Sequence, residues 1–101
     1  MLQKLNWQAY TNQNRNQITE QVKDAISMSD GCIINFTLFS DLAMSLSIEI
    51  EENKIHHLHA SIAKIIPLTE LDLKQIQTDS QREWLIFLNI SFSEGKGDLK
   101  E

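Results

Sequence analysis

Apolar and polar residues alternate along several stretches of this chain, and between them apolar residues recur at helical spacing. Leu42, Met44, Leu46, Ile48 and Ile50 alternate with Ala43, Ser45, Ser47, Glu49 and Glu51. Successive side chains of a strand point to opposite sides of a sheet, so a period of two marks a strand with one buried face. Trp84, Ile86, Leu88, Ile90 and Phe92 alternate in the same way with Leu85, Phe87, Asn89, Ser91 and Ser93. Cys32, Ile34, Phe36 and Leu38 alternate with Ile33, Asn35, Thr37 and Phe39. A weaker run near the start sets Leu5, Trp7 and Ala9 against Asn6, Gln8 and Tyr10.

Helical spacing predicts two helices between these strands. Ile18, Val22, Ala25, Ile26 and Ser29 fall on one face at 100° per residue. Thr11, Asn12 and Asn14 supply capping side chains before that helix, and Asp30-Gly31 a stop after it. Ile55, Leu58, Ile62, Ile65 and Ile66 form the second stripe. Glu51 and Glu52 precede it, suiting a positive helix N-terminus, and Pro67 ends it. For 68–82 the pattern is ambiguous: Thr69 to Ile76 reads as a short helix, and Thr78-Asp79-Ser80 as a turn.

Length and composition set limits on this picture. The 101 residues suit one α+β domain spanning 1–101, with 94–101 read as a flexible tail of glycine and charge. Hydrophobic residues at 42% and charged residues at 23% are ordinary for a globular chain and exclude disorder. A single cysteine excludes an internal disulfide framework. The net charge of −5 lacks the positive footprint a nucleic-acid binder needs. No signal peptide and no membrane-length apolar run is visible, so a soluble cytoplasmic protein is expected, with neither nucleic acid nor membrane as partner.

The order strand, helix, strand, strand, helix, strand, with Ser40-Asp41 as the hairpin turn between the second and third strands, resembles the ferredoxin-like split βαβ plait. The resemblance covers roughly 4–93 and is one of element order alone. It implies a βαββαβ plait: a four-stranded antiparallel sheet of order 4-1-3-2 with two helices on one face. It also implies that Trp7 and Trp84, on adjacent strands, pack near each other. Modules of this superfold include metal carriers, RNA-recognition domains, ACT-type ligand-binding domains and small dimeric monooxygenases, so the fold does not select a function. The first loop, Thr11 to Arg15, lacks the Cys-x-x-Cys of metal carriers. Ala43, Ser45, Ser47 and Glu49 are not the aromatic and basic strand residues of an RNA binder. Tyr10-Thr11-Asn12 stands where ACT-type domains have glycine.

In such a plait the odd-numbered residues of the second, third and fourth strands line the uncovered sheet face, joined by Asn6, Gln8 and Tyr10. Glu49 is the sole charge expected there. Depleted charge with retained aromatics is the mark of an interface core. Tyr10, Asn35, Thr37, Phe39, Ser45, Ser47, Glu49, Phe87 and Asn89 are therefore the predicted ligand or interface residues. The expected function is that of a small non-catalytic binding or assembly module, homodimeric through this face, with a small-molecule or protein ligand. The alternative is a small dimeric enzyme resembling the monooxygenases, in which Trp7, Trp84, His59 and Tyr10 are the residues to test.

Other candidates are weaker. Glu52, His56 and His59 lie at i, i+4 and i+7 and are the only candidate metal ligands; surface histidines are the favoured reading and no cofactor is expected. Cys32 is expected to face inward as a small core hydrophobe. No Gly-x-Ser-x-Gly elbow surrounds Ser40, and the inward strand residues leave no placed general acid or base.

Overall fold

The computed structural model describes residues 3–40, 42–71 and 73–93. The tail expected at 94–101 lies outside the described residues. The elements are β1 (Gln3–Thr11), α1 (Arg15–Met28), β2 (Cys32–Ser40), β3 (Ala43–Glu51), α2 (Ile55–Ala63) and β4 (Glu83–Phe92). A single 3-10 turn, Glu52–Lys54, leads into α2, and another spans Leu73–Gln75.

The α+β class and the βαββαβ element order agree with expectation, but the sheet does not. Its order is β1-β4-β3-β2, not 4-1-3-2. It is mixed: β1 pairs with β4 in parallel, and the β4–β3 and β3–β2 pairs are antiparallel. The cause is the path of the chain after α2, through the segment 68–82 whose pattern is ambiguous. After α2 the chain meets the outer edge of β1, where the Thr69 amide donates to Gln8 O at 2.9 Å. It then returns to the end of β3. The Glu52 amide donates to Arg82 O at 2.8 Å and the Asn53 amide to Ser80 O at 2.9 Å, so β4 starts where β3 ended. Two strands joined by such a return must run antiparallel, with Glu51 opposite Glu83. A plait needs the reverse, with a helix alone carrying the chain to a parallel strand. The wholly apolar inward series of β4 and β3 also suits the two central positions.

Both helices lie on one face. Ile18, Val22, Ala25 and Ile26 of α1, with Ile55, Leu58 and Ile62 of α2, form one core with the inward residues of β1, β3 and β4. At its start α1 is capped by Asn14, whose side chain accepts from the Gln17 amide at 3.0 Å. At its end Asp30 takes φ 61°, the left-handed conformation usual after a helix. Gly31 serves a different need. A Cβ there would stand 3.0 Å from Ile26 Cγ2 and 3.2 Å from Ile48 Cγ2, so the residue is small because helix and sheet close upon it. Asp30 also pairs with Lys54 on the turn before α2. That pairing, through its hydrogen bond first, lowers the carboxyl's pKa and raises the ammonium's.

Candidate functional site

The strand registers arrange the uncovered face of the sheet as rows. Residues paired across strands share a face, so one row reads Lys4, Leu85, Glu49, Cys32. The next reads Asn6, Phe87, Ser47, Asn35, and the third Gln8, Asn89, Ser45, Thr37. The last reads Tyr10, Ser91, Ala43, Ser40. The two middle rows carry no charge. Within them Ser45 Oγ donates to Asn89 Oδ1 at 2.6 Å. The first row carries two charges of opposite sign, Lys4 and Glu49, separated by Leu85; Lys4 was not among the expected face residues.

Tyr10, Asn35, Thr37, Ser45, Ser47, Glu49, Phe87 and Asn89 thus come together on one surface. Phe39 sits at an irregularity between Leu38 and Ser40 and is 68% exposed. A second irregularity, between Ile33 and Asn35, changes which residues face where. Ile33 lies opposite Ile48 and packs on the core, although it is expected on the open face. Cys32 lies opposite Glu49 and is an exposed free thiol, not an inward core residue. A bulge inserts one extra residue into the alternation, and so exchanges the faces on its two sides.

The larger departure concerns β2 as a whole. Every one of its residues except Ile33 is exposed. Phe36 and Leu38 lie opposite Leu46 and Met44, on the helix side of the sheet, yet remain 38% and 49% exposed. Ile34 is 53% exposed and Met28, at the end of α1, 79%. The helices do not reach over this strand. Helix α1 stands over β3, with Thr19 Oγ1 against Met44 Sδ at 3.5 Å and Ile26 beside Ile48. Helix α2 stands over β1, where the His59 ring meets Trp7 edge-on at 5.1 Å. From α1, Lys23 extends toward β2, its Nζ lying 4.8 Å above the Phe36 ring. The sequence signal that could have marked β2 is its complete lack of charge.

The three histidines make different contacts. His59 Nε2 donates to Thr69 O at 2.6 Å. His57 Nδ1 shares a 2.8 Å hydrogen bond with the Ser29 hydroxyl. His56 Nε2 is buried and makes no hydrogen bond. His56, His59, Ala60, Glu70 and Leu71 line an open depression of about 440 Å³. Glu52 does not join them. It is buried where β3 ends and β4 begins, and its Oε2 accepts from the Gln77 amide at 2.8 Å. Burial pushes its pKa up. The Gln77 amide, the Ser80 hydroxyl, the Trp84 indole and the Arg82 charge together outweigh that, and the net shift is downward. Glu52 thus anchors the return segment 75–82, a role unseen in the sequence because it depends on where that segment goes. Among the described residues no group of three His, Cys, Asp or Glu side chains could hold a metal ion.

Trp7 and Trp84 are both buried on the helix side but are not neighbours. Trp84 aligns with Gln3, and Trp7 with Leu88, so four residue steps, about 13 Å, separate them along the strands. Tyr10 lies on the opposite face of the sheet from Trp7 and His59. The residues of the enzyme alternative therefore do not converge on one pocket. Among the described residues no helix is long and apolar enough to cross a membrane. Comparison with protein-family models, with curated proteins and with solved structures finds no match for this chain.

Proposed function

We propose that this protein is a small non-catalytic binding and assembly module that self-associates and works through the uncharged surface of its sheet. The observation that carries the reading is the pair of charge-free rows from Asn6 to Asn35 and from Gln8 to Thr37. A sheet face kept in water normally carries lysine and glutamate freely. Here the charges that remain, Lys4 and Glu49, balance each other at one end. The hydrogen-bonding groups of these rows surround one aromatic side chain, Phe87, which suits a contact that pairs polar atoms as it excludes water. A protein ligand or a small molecule is the natural occupant.

The enzyme alternative has one observation in its favour, the unpartnered His56 Nε2 beside the depression next to Glu70. That depression is open, and a catalytic site needs enclosure and convergent groups.

Native mass spectrometry of the purified protein tests the reading. A self-associated species, or a retained ligand, is expected, and Ser47→Lys with Asn89→Lys should lose the ligand. A monomer with no retained mass at concentrations on the order of 100 µM sinks it.

A further inference from the structure

We infer that two copies of this chain join through β2, edge to edge and antiparallel, so that their sheets merge into one and their open faces become continuous. The inference rests on the reading above only in that the module self-associates; the contact it assigns is the strand edge, not the face.

The two edges of the sheet are treated differently by the chain. The β1 edge is covered over its second half: the Thr69 amide and hydroxyl bond to Gln8 O at 2.9 and 3.0 Å, the Gln8 amide donates to Thr69 Oγ1 at 2.8 Å, and the Tyr10 amide donates to Pro67 O at 3.4 Å. Among the described residues the outer edge of β2 has no neighbouring strand. Protein edges left in water are usually guarded by lysine, proline, inward charge or bulges. The nine residues of β2 include no lysine, proline or charge, and its two irregularities leave Asn35 to Leu38 between them as a regular, uncharged stretch. An uncharged strand can lie against its own copy without setting like charges opposite each other.

The register is limited by the two irregularities. Between them Asn35 to Leu38 pair regularly with β3. A two-fold axis at Thr37 sets Phe36 opposite the partner's Leu38, twice, on the helix side. Phe36, Leu38, Ile34, Phe39 and Met28 expose from 38% to 79% of their surface. At roughly 200 Å² for a large apolar side chain, their exposed surface totals about 570 Å² per copy. A standard interface covers about 800 Å² per partner, somewhat over half of it apolar, so this patch supplies the apolar share a stable dimer needs. The same geometry puts the two Cys32 residues about 33 Å apart along the paired strands, far beyond disulfide reach.

Light scattering coupled to size exclusion, with variants of known fold by circular dichroism, tests this. The wild type is expected to be a dimer that survives reductant. Ile34→Lys with Leu38→Lys should weaken it about 100-fold with the melting temperature nearly unchanged. Thr37→Cys in a Cys32→Ser background should form a disulfide-linked dimer on mild oxidation, and Tyr10→Cys in that background should not. A monomeric wild type, or a dimer lost on reduction, overturns the inference. So does a dimer broken by Ser47→Lys with Asn89→Lys but untouched at Ile34 and Leu38; that result would retain the binding module and reject the edge.

Discussion

Asp30 and Gly31 are adjacent, both follow α1, and the structure predicts opposite responses to substitution. Glycine in a helix stop is ordinarily there for its backbone freedom. In this chain that role falls to Asp30, at φ 61°, while Gly31 has no positive φ. Replacing Gly31 by alanine would press a methyl to 3.0 Å from Ile26 Cγ2, 3.2 Å from Ile48 Cγ2 and 3.3 Å from Ile26 O. Ile26 and Ile48 are 1% and 0% exposed, so neither can swing aside. Overpacking a closed core costs about 1–3 kcal/mol. For a domain of this size that lowers the melting temperature by roughly 5–20 °C. Replacing Asp30 by glycine relieves the left-handed backbone, a gain of about 1 kcal/mol, and loses the exposed pair with Lys54, which salt screens. Its melting temperature should hold or rise, most clearly at high salt. Thermal unfolding of both variants at low and high salt is the assay. A neutral Gly31→Ala beside a clearly destabilised Asp30→Gly would refute the packing argument.

Three further outcomes can be measured. Glu52→Ala should destabilise the fold by about 1.5–3 kcal/mol in urea unfolding, since it strips the Gln77 amide of a charged acceptor. Because Glu52 has a lowered pKa in the fold, its contribution is full above the unfolded carboxyl's pKa and is lost as pH falls through the folded one. Wild type should therefore lose stability on acidification through that window, and Glu52→Gln should lose less. Asn14→Ala removes the cap on α1 and should cost about 1 kcal/mol by the same unfolding measurement. Thr69→Val should speed hydrogen exchange at the Gln8 amide, which loses its Oγ1 acceptor, while the amides of β3 stay protected.

How much of the site was legible depended on strand regularity. β3 and β4 alternate without interruption, and Ser45, Ser47, Glu49, Phe87 and Asn89 share the open face as their positions predict. β2 has the same sequence pattern but irregular pairing, and parity failed at Ile33 and Cys32. No composition rule marks where a bulge falls, because it depends on how β2 fits β3. Lys4 was missed because the first strand begins at Gln3, earlier than its apolar run suggests. The exposure of Phe36 and Leu38 was hidden for another reason. Alternation says which side of the sheet a residue takes, not whether a helix lies above it.

Local physics was sufficient for most of the elements. Period-two alternation, helical stripes and the Asn14 cap are short-range effects, carried by side-chain direction and backbone preference. Helix α2 departs from them: it ends at Ala63, before Ile65, Ile66 and Pro67, and of the helix expected from Thr69 to Ile76 only the turn Leu73–Gln75 forms among the described residues. The sheet order was not a short-range effect. It was decided by the segment 68–82, whose weak local pattern leaves its path to long-range bonds: Thr69 on β1, and Glu52 and Asn53 on the return toward β4. Those bonds exist only once the strands are assembled. They reversed β4, moved β1 to the edge and covered it from Gln8 to Tyr10, and left uncharged β2 as the other margin of the sheet.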